Sequence, residues 1–479
     1  MSFHFLNGTN YFLPYSDTGP GTIVVDPFAN IWVTQGGADA MTLSSGPWTL
    51  KLNGSVQADD GYAVVLKDSG SFVSKVAIGA GGDIFASGGS VGIYAVHATN
   101  VSNAGKISAD GIGIYEFGNG NFSIGNLKTG VIEGFNRGID VISSGTHTIA
   151  NAGTVTGLVA IAGGNGIEKV TNSGTLDGTV FLGGGNDIFT NFKTVGKHVK
   201  NGSVTGTIDL GAGNDHFFGG NSQELVYDGD GKDIIKFGGG NDHWIGYLGA
   251  NGDLKDTIDG GKGIDTYDAS QSGALGIRIN LDSIVHFDSI RTVGLAALRA
   301  DDFNDATPFD TVKNVENAYG SSGDDSIFGT KAANELAGGD GIDILYGLAG
   351  NDRLLGGNEA DGLIGGAGRD ELWGGADGSG DLFVFRSLKD SGPTQATRDT
   401  IMDFGVGDII DLHAINDKLG NIIHFLNNDV SFDGSAGALR AIFNGDDTIV
   451  QLDVNGDRKA DFSIALDGHH TLADTDFNL

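Results

Sequence analysis

A nine-residue glycine register constrains the possible folds of this chain more than any other feature of its sequence. Glycine recurs at every ninth residue, at Gly320, Gly329, Gly338, Gly347, Gly356 and Gly365. Within these units the sixth position always holds Asp or Asn, and the eighth position always holds Ile or Leu. A short period that keeps polar and apolar positions apart predicts a repeat structure in which each unit contacts only its neighbours.

An earlier block repeats the same register from Leu210, and isolated copies end at Phe189 and Tyr267. The eighth positions of the earlier block are all large and apolar: Phe217, Val226, Ile235 and Trp244. Residues 269–318 lack the repeat, and we interpret them as an insertion that contains a short helix over 293–303.

The chemistry of one unit predicts a stacked structure. Its glycine-rich half has to fold back with positive φ at some positions, and its second half is a short strand with one apolar side chain inside. Two units then make one turn of 18 residues, so that Asp325, Asp343 and Asp361 stack on one edge about 4.8 Å apart. Neighbouring carboxylates at about 5 Å repel by roughly 3 kcal/mol at an effective dielectric constant near 20. A divalent cation reverses the sign of that energy.

Carbonyl and carboxylate oxygens without Cys or His select a hard cation with six to eight oxygen ligands, which indicates several Ca²⁺ ions. The candidate calcium ligands are carboxylates in the sixth position or its equivalent: Asp187, Asp215, Asp233, Asp242, Asp265, Asp325, Asp343, Asp352, Asp361, Asp370 and Asp381.

Composition supports this interpretation and excludes other classes of protein. The chain has 83 glycines among 479 residues, and only eight of its 61 acidic residues are Glu, which disfavours a helical protein. A net charge of −33 excludes sequence-independent binding to nucleic acids or anionic membranes. The chain has no cysteine, so disulfides and thiolate metal sites are excluded.

The N-terminal third has a longer period. Asn followed by Gly two residues later, and then by an aliphatic or β-branched residue, occurs at Asn103, Asn151 and Asn172, with a looser copy at Asn126. Intervals of 21 to 25 residues are typical of one rung of a three-sided parallel β-helix. Because the rungs at Asn172 and Asn201 run directly into nonapeptides, we expect the β-helix to continue into the roll.

At the nonapeptides the chain resembles the RTX (repeats-in-toxin) haemolysin-type calcium-binding proteins, over residues 181–268 and 319–385. The resemblance implies a right-handed parallel β-roll with calcium between successive turns. The units depart from the pattern at their sixth position (Asn334, Glu224 and Asn251) and at their fourth position (Ala332, Ser222 and Glu359).

The C-terminal segments 383–392, 398–412 and 453–466 resemble the C-terminal region of serralysin-type secreted proteases. The resemblance implies a cap on the roll, an uncleaved signal for a type I secretion apparatus, and an extracellular or cell-surface location in a bacterium. Residues 1–21 lack the basic and apolar regions of a signal peptide, and we expect no transmembrane segment.

The predicted fold is therefore an all-β, right-handed parallel β-solenoid with a C-terminal β cap. Its predicted parts are an N-terminal cap (1–45), a parallel β-helix (46–180), a first roll block (181–268), an insertion (269–318), a second roll block (319–385), and a C-terminal cap with the secretion region (386–479).

Catalytic motifs are weak in this sequence. It contains neither H-E-x-x-H nor G-x-S-x-G, which disfavours a protease or a lipase. His97, His147 and His198 lie about two rungs apart and could share a face with Tyr94, Glu116 or Arg137, as in a polysaccharide lyase or epimerase, although ordinary surface positions are favoured.

Asp453, Asn455, Asp457 and Asp461 have the spacing of a calcium loop, but Arg458 replaces its glycine, so a hairpin turn is an equal alternative.

The leading hypothesis is a secreted, calcium-binding solenoid with a structural, adhesive or polysaccharide-binding role, whose partner is a cell-surface or matrix polysaccharide. The rival is a β-helix lyase or epimerase with an RTX export module. An enzyme is the less favoured of the two.

Overall fold

The computed structural model describes residues 2–479 except 6–7, 35, 68–71, 119, 247–255, 275, 283–310 and 421. The helix predicted over 293–303 and the sixth-position Asn251 lie outside the described residues. The chain forms two compact units, one built on residues 2–263 and the other on residues 264–282 and 312–479.

The first unit is a solenoid of parallel strands. Its first stack continues from one end of the unit to the other. The strands of this stack are Ser2–Phe5, Gly21–Val25, Trp48–Leu52, Ser74–Ile78, Thr99–Asn103, Ser123–Asn126, Thr146–Asn151, Ile167–Asn172, Ile188–Thr190, His216–Phe218, Ile234–Gly239 and Thr257–Lys262.

Two further stacks complete three sides, and residues 2–44, the predicted N-terminal cap, already pair within all three. The second stack comprises Asn10–Tyr11, Asn30–Val33, Ser55–Ala58, Asp83–Ala86, Lys106–Ala109 and Val131–Gly134. The third stack comprises Tyr15–Thr18, Met41–Ser44, Val64–Lys67, Val91–Ala95, Ile112–Glu116 and Arg137–Val141.

The solenoid changes from three strands per turn to two at a single long strand. Thr154–Ala162 pairs with both Val131–Gly134 and Arg137–Val141, so two sides of the triangle merge into one. Thr175–Phe181 follows it, and the later strands on this side are Ser203–Val204, Ile208–Asp209, Leu225–Tyr227 and His243–Ile245. The β-helix therefore continues directly into the roll within this unit, as predicted.

An asparagine ladder runs through the buried corner of the β-helix. The side-chain amide of Asn103 donates to Asn126 Oδ1 at 3.0 Å, and Asn126, Asn151 and Asn172 continue the chain at 2.8–2.9 Å as far as Asn191. Each amide also donates to a backbone carbonyl; Asn126, for example, reaches Thr154 O at 2.9 Å. These bonds satisfy polar groups that the strands alone leave buried.

The fifth ladder residue corrects the sequence interpretation. Asn191, and not Asn201, occupies the rung that follows Asn172. Asn201 instead ends an antiparallel hairpin of Phe192–Val195 and His198–Asn201 that lengthens this turn. The Asn-Gly pattern at Asn201 lies where the chain leaves the hairpin and rejoins the solenoid.

The second unit is also a roll with two stacks of parallel strands. The first stack comprises Thr266–Asp268, Asn317–Tyr319, Glu335–Asp340, Arg353–Asn358, Glu371–Trp373, Asp399–Ile401 and Phe462–Leu466. The second stack comprises Arg278–Asn280, Ser326–Phe328, Ile344–Tyr346, Gly362–Ile364, Leu382–Val384, Ile409–Asp411 and Phe477–Asn478.

Short pairs of strands bridge the glycine turns, Ala212–Gly213 with Asp230–Gly231 and Ala349–Gly350 with Ala367–Gly368.

The C-terminal residues end both stacks of this roll. Phe462–Leu466 adds in parallel to Asp399–Ile401, and Phe477–Asn478 adds to Ile409–Asp411. The rest of the cap comprises one α-helix, His413–Leu419, the strands His424–Asn428, Ala438–Asn444 and Asp447–Asp453, and a 3₁₀ turn at Asp474–Asp476; another 3₁₀ turn lies at Ser270–Ser272. The predicted β cap is confirmed.

Apolar packing in this roll exceeds the prediction of one interior residue per unit. The eighth-position side chains, such as Leu345 and Leu363, are fully buried inside. A second buried cluster lies on the opposite face of the second stack: Phe328, Ile344, Tyr346, Ile364, Leu382 and Val384. Among the described residues, no helix is long and apolar enough to cross a membrane.

We predict that Asn126→Ala lowers the free energy of unfolding of the calcium-loaded protein by about 1–3 kcal/mol. The substitution leaves the buried oxygen of Asn151 without its donor. Chemical denaturation followed by circular dichroism measures the change. Lys128→Ala, at an exposed position two residues away, is the control and should cost less than about 0.5 kcal/mol. Equal effects of the two substitutions would contradict a structural role for the ladder.

Candidate calcium-binding roll

All eleven predicted ligand carboxylates are buried, although charged side chains seldom are without a partner. They form columns because each carboxylate binds the backbone of the previous turn. Asp343 Oδ1 accepts the Asp325 N–H at 2.7 Å, and Asp361 Oδ1 accepts the Asp343 N–H at 2.8 Å. A separate column joins Asp352 to Asp370 at 2.8 Å. The predicted 18-residue stacking is therefore present in the hydrogen bonds.

The first unit has equivalent columns. The Asp187 N–H donates to Asp215 Oδ1 and the Asp215 N–H donates to Asp233 Oδ1, both at 2.6 Å. On the other edge, the Glu224 N–H donates to Asp242 Oδ1 at 2.8 Å. Asp265 belongs to the second unit, where its N–H donates to Glu316 at 2.9 Å.

The second carboxylate oxygen of most ligand candidates has no hydrogen-bond donor. In seven of them, Oδ2 is fully buried and makes no hydrogen bond: Asp187, Asp215, Asp343, Asp352, Asp361, Asp370 and Asp381. Asp325 differs, because its Oδ2 accepts the Ser321 N–H. A buried anionic oxygen without a donor or a cation is strongly unfavourable, so these columns favour either a bound cation or protonated carboxyl groups.

The first glycine of each unit leaves space for that oxygen. A Cβ on Gly356 would overlap Asp361 Oδ2 and would lie 2.5 Å from the carbonyl oxygen of Gly374, one turn later. A Cβ on Gly347 would meet Asp352 Oδ2 and the Gly365 carbonyl in the same way. The φ angle of Gly356 is outside the left-handed region, so glycine is required here for space.

Positive φ occurs instead at the second and fourth positions. Gly357 has φ 126° and Gly350 has φ 134°, and the carbonyl of Gly350 fills the place where a Gly368 Cβ would lie. Glu359, a predicted departure at the fourth position, adopts φ 78° despite its side chain. The turns therefore place carbonyl oxygens in stacks next to the columns of carboxylates.

Burial raises the pKa of these carboxyl groups, because desolvation penalises the charged form. The pKa of Asp343 and of Asp352 rises to about 8, and that of Asp361 to about 9, with the neighbouring carboxylates adding to the effect in each case. In the first unit burial raises the pKa of Asp215 to about 8. Backbone N–H donors lower these values, but burial outweighs them.

The donor set fits calcium. In the described part of the chain, no three His, Asp or Glu side chains converge on one point. The oxygens that do approach each other are a carboxylate from one turn and a carbonyl from the next, as at Asp361 and Gly374. An all-oxygen set drawn partly from the backbone is typical of Ca²⁺ and unsuited to zinc or copper.

Two family models match the chain. The model of the RTX calcium-binding nonapeptide repeat (four copies) matches residues 209–243, and the peptidase M10 serralysin C-terminal model matches residues 259–479. The chain is an RTX-repeat protein with a serralysin-type C-terminal region. The serralysin match begins well before the segments that resembled this region in the sequence, and it includes the whole second roll block.

The solved structures similar to this RTX protein include two subunits of the Azotobacter vinelandii mannuronan C5-epimerase. AlgE6R3 is 31% identical, with 32% of this chain and 77% of that chain covered, at a TM-score of 0.18. AlgE6R2 is 28% identical, with 33% of this chain and 89% of that chain covered, also at 0.18. A search of curated proteins found no match.

Several column residues of the RTX rolls were missed by the sequence interpretation. Asp256 follows Asp233 in its column at 2.6 Å, Asp399 follows Asp370 at 2.8 Å, and Asp408 follows Asp381 at 2.9 Å. The intervals are 23, 29 and 27 residues in place of 18. A search for the 18-residue interval cannot find them, although each Asp lies at or directly before the start of a short strand.

The sixth-position departures differ in their surroundings. The Asn334 amide donates to the Glu316 carbonyl, and its Oδ1 accepts the Thr330 N–H at 2.6 Å, so this side chain is saturated within the protein. Glu224 accepts from Asn191 Nδ2 at 2.8 Å, and the asparagine ladder thus ends on the first carboxylate of a column.

The loop at Asp453 forms a hairpin turn between Asp447–Asp453 and Phe462–Leu466. Both oxygens of Asp453 accept backbone N–H groups, from Gly456 at 2.7 Å and from Arg458 at 2.7 Å. The turn alternative therefore accounts for this spacing without a metal.

The three histidines do not share a face. His147 is fully buried, with Nε2 2.9 Å from Ser143 Oγ, whereas His198 is exposed on the added hairpin. Glu116 is also buried inside the solenoid, where burial raises its pKa to about 7. The less favoured alternative, a catalytic face shared by these histidines, therefore has no support from the positions of His147 and His198.

We predict that Gly356→Ala weakens calcium-linked stabilisation by about 1–3 kcal/mol, because the new methyl group displaces the Asp361 carboxyl. Thermal unfolding at a series of calcium concentrations measures the loss. Gly125→Ala is the matched control, since its Cβ meets nothing closer than 3.9 Å and its φ is not positive. If calcium raises the melting temperature of the Gly356→Ala protein as much as that of the wild type, Asp361 Oδ2 does not lie next to Gly356 as described.

We also predict that the calcium-free protein loses stability as the pH rises. The folded-state pKa of Asp343, about 8, lies above the value near 3.9 of an unfolded Asp, so the folded form binds protons more tightly. This contribution is complete below pH 4 and is lost as the pH passes about 8. In chelator, the melting temperature should be higher at pH 5 than at pH 8. A higher melting temperature at pH 8 would show that the folded form does not bind protons more tightly than the unfolded form.

Proposed function

We propose that this protein is exported by a type I secretion apparatus and folds outside the bacterial cell when calcium binds its rolls. It then acts as a structural or adhesive solenoid that binds polysaccharide. The RTX repeats and the serralysin-type C-terminal region support export and an extracellular location. The predicted Asp residues are the ligands. At Asp343 and Asp361, for example, one oxygen accepts a backbone N–H and the other binds calcium, whereas both oxygens of Asp325 accept backbone N–H groups.

The observation that carries the proposal is the set of buried, donor-free Oδ2 atoms. Without a cation these oxygens favour the unfolded chain, and with calcium they hold successive turns together. Binding and folding are then linked, so stability rises with the logarithm of the calcium concentration once calcium exceeds its dissociation constant. The cap at Phe462–Leu466 and Phe477–Asn478 closes both strand stacks and provides an end from which the second roll can form.

We expect circular dichroism to show less β-structure in chelator than in millimolar calcium. Asp343→Asn should raise the calcium concentration at the midpoint of this transition about tenfold or more, since it weakens an ion contact worth at least about 1.4 kcal/mol. Asp453→Asn is the matched control, because Asp453 is equally buried but saturated by backbone donors. Equal β-content with and without calcium would exclude the proposal.

The polysaccharide role is supported by a polar and aromatic row on the outer face of the third stack. Tyr62 and Tyr94 stack with ring centroids 5.0 Å apart, and Tyr94 and Tyr115 follow at 5.5 Å. Asp140 is the parallel neighbour of Tyr115, and its Oδ2 accepts from Arg137 Nη1 at 2.7 Å. Its Oδ1 is buried and makes no hydrogen bond.

This row suits a glycan chemically. Tyr side chains combine apolar ring surface with a hydroxyl, and sugars present apolar C–H faces and hydroxyl groups in the same way. The buried Asp140 carboxylate holds the guanidinium of Arg137, whose side chain is exposed and offers its remaining donors to sugar hydroxyls. Burial raises the pKa of Asp140, and Arg137 lowers it. Carboxyl groups with perturbed pKa values are also common at catalytic sites. The lyase or epimerase alternative would therefore use this same row.

Incubating the calcium-loaded protein with neutral and uronate-rich glycans tests both alternatives when retention and product formation are scored together. We expect retention without product, and a loss of retention in Asp140→Asn. Glu133→Gln is the control, because it removes a carboxylate paired with Lys106 on the neighbouring stack. Product formation would establish the enzyme, and no retention on any glycan would exclude the binding role.

A further inference from the structure

A glycine turn that belongs to neither predicted roll block precedes the first nonapeptide. Residues 163–168 read Gly-Gly-Asn-Gly-Ile-Glu and lead into the strand Ile167–Asn172. The next turn, which ends at Asp187, lies directly against it: the Gly184 N–H donates to the Gly164 carbonyl at 2.7 Å, and the Glu168 N–H donates to Asp187 Oδ1 at 2.7 Å. Glu168 therefore belongs to the same column as Asp187 and lies one turn before it.

The glycines of this turn reproduce the spatial relations of the rolls. A Cβ on Gly163 would overlap the Leu182 carbonyl oxygen and lie 3.0 Å from Glu168 Cδ. Gly356 in the second roll has the same two neighbours: the carboxyl group of its own turn, Asp361, and a carbonyl of the next turn, Gly374. The Gly166 carbonyl occupies the place of a Gly185 Cβ, as Gly350 does for Gly368.

The Glu168 carboxylate is buried without a partner. The residue has no exposed surface, and neither Oε1 nor Oε2 makes a hydrogen bond. Asp187 Oδ2 is in the same state in the adjoining turn. Two ionised carboxylates buried in successive turns repel each other unless a cation or a proton lies between them.

The column changes character one turn earlier. His147 is the parallel neighbour of Glu168, and its Nε2 interacts with Ser143 Oγ at 2.9 Å. Imidazole nitrogen is a poor ligand for a hard cation. The interval between His147 and Glu168 therefore offers one carboxylate, whereas the interval between Glu168 and Asp187 offers two.

We propose that a calcium ion binds between the turns 163–168 and 182–187, held by the carboxylates of Glu168 and Asp187 and by carbonyl oxygens of the glycine turns. This site would lie where the three-sided β-helix becomes the two-sided roll, next to the strand Thr154–Ala162. Calcium then orders the last part of the β-helix as well as the repeats. The site presupposes that the rolls bind calcium as proposed above.

The test uses the full chain with calcium as the only added ligand. Equilibrium dialysis with radioactive calcium should give one bound ion fewer for Glu168→Gln than for the wild type. Glu133→Gln, which removes an exposed carboxylate of the same unit, should bind the same number as the wild type. An unchanged ion count and affinity in Glu168→Gln would overturn the site.

Thermal unfolding separates this site from a packing role of Glu168. In chelator Glu168→Gln should melt at a higher temperature than the wild type, because folding no longer has to bury or protonate a carboxyl group; in calcium it should melt at a lower one. A substitution that only harms packing lowers both temperatures, and that result would overturn the proposal.

Hydrogen exchange provides a second readout on the wild type alone. The Glu168 amide donates to Asp187, so its exchange reports on this turn directly. We expect calcium to slow it at least tenfold. Absence of any calcium effect on wild-type stability would contradict the proposed function as a whole, whereas slowed exchange elsewhere but not at 163–168 would contradict this site only.

Discussion

The hydrogen bond from a backbone N–H to the carboxylate of the next turn is the interaction on which the rolls depend. It fixes one oxygen of each column residue and thereby directs the other into a buried space bordered by glycine, as at Asp361 and Gly356. At several column residues the same bond leaves the second oxygen of the carboxyl group buried without a donor, as at Asp343 and Asp361. The polypeptide supplies too few donors there, so a proton or a cation stabilises these carboxyl groups.

Much of the fold could be predicted from the sequence, because an 18-residue turn follows directly from a nine-residue register with two apolar faces. Asp343 and Asp361 were placed correctly for this reason. The structure also explains why glycine is required at two kinds of position. Positive φ accounts for Gly357, whereas the oxygen of Asp361 accounts for Gly356, and composition alone does not distinguish them.

The remaining features depend on pairing across turns of unequal length. Asp399 joins the Asp370 column from 29 residues away, and the hairpin at Phe192–Val195 lengthens another turn without disturbing its neighbours. The merging of two sides at Thr154–Ala162 arises because one strand pairs with two predecessors. The local sequence of a strand does not show which earlier strands it pairs with, because its alternation of apolar and polar residues is the same in either case.

The asparagine ladder has a direction. Every side-chain amide from Asn103 to Asn191 donates toward the C-terminus, and each asparagine after Asn103 accepts from the preceding one. The last amide donates to Glu224, which can only accept when ionised. Any interior rung therefore presents the same donor above and the same acceptor below. Duplication or loss of a whole rung leaves no polar group unmatched, so the length of the β-helix is free to change in evolution while its junction with the roll stays intact.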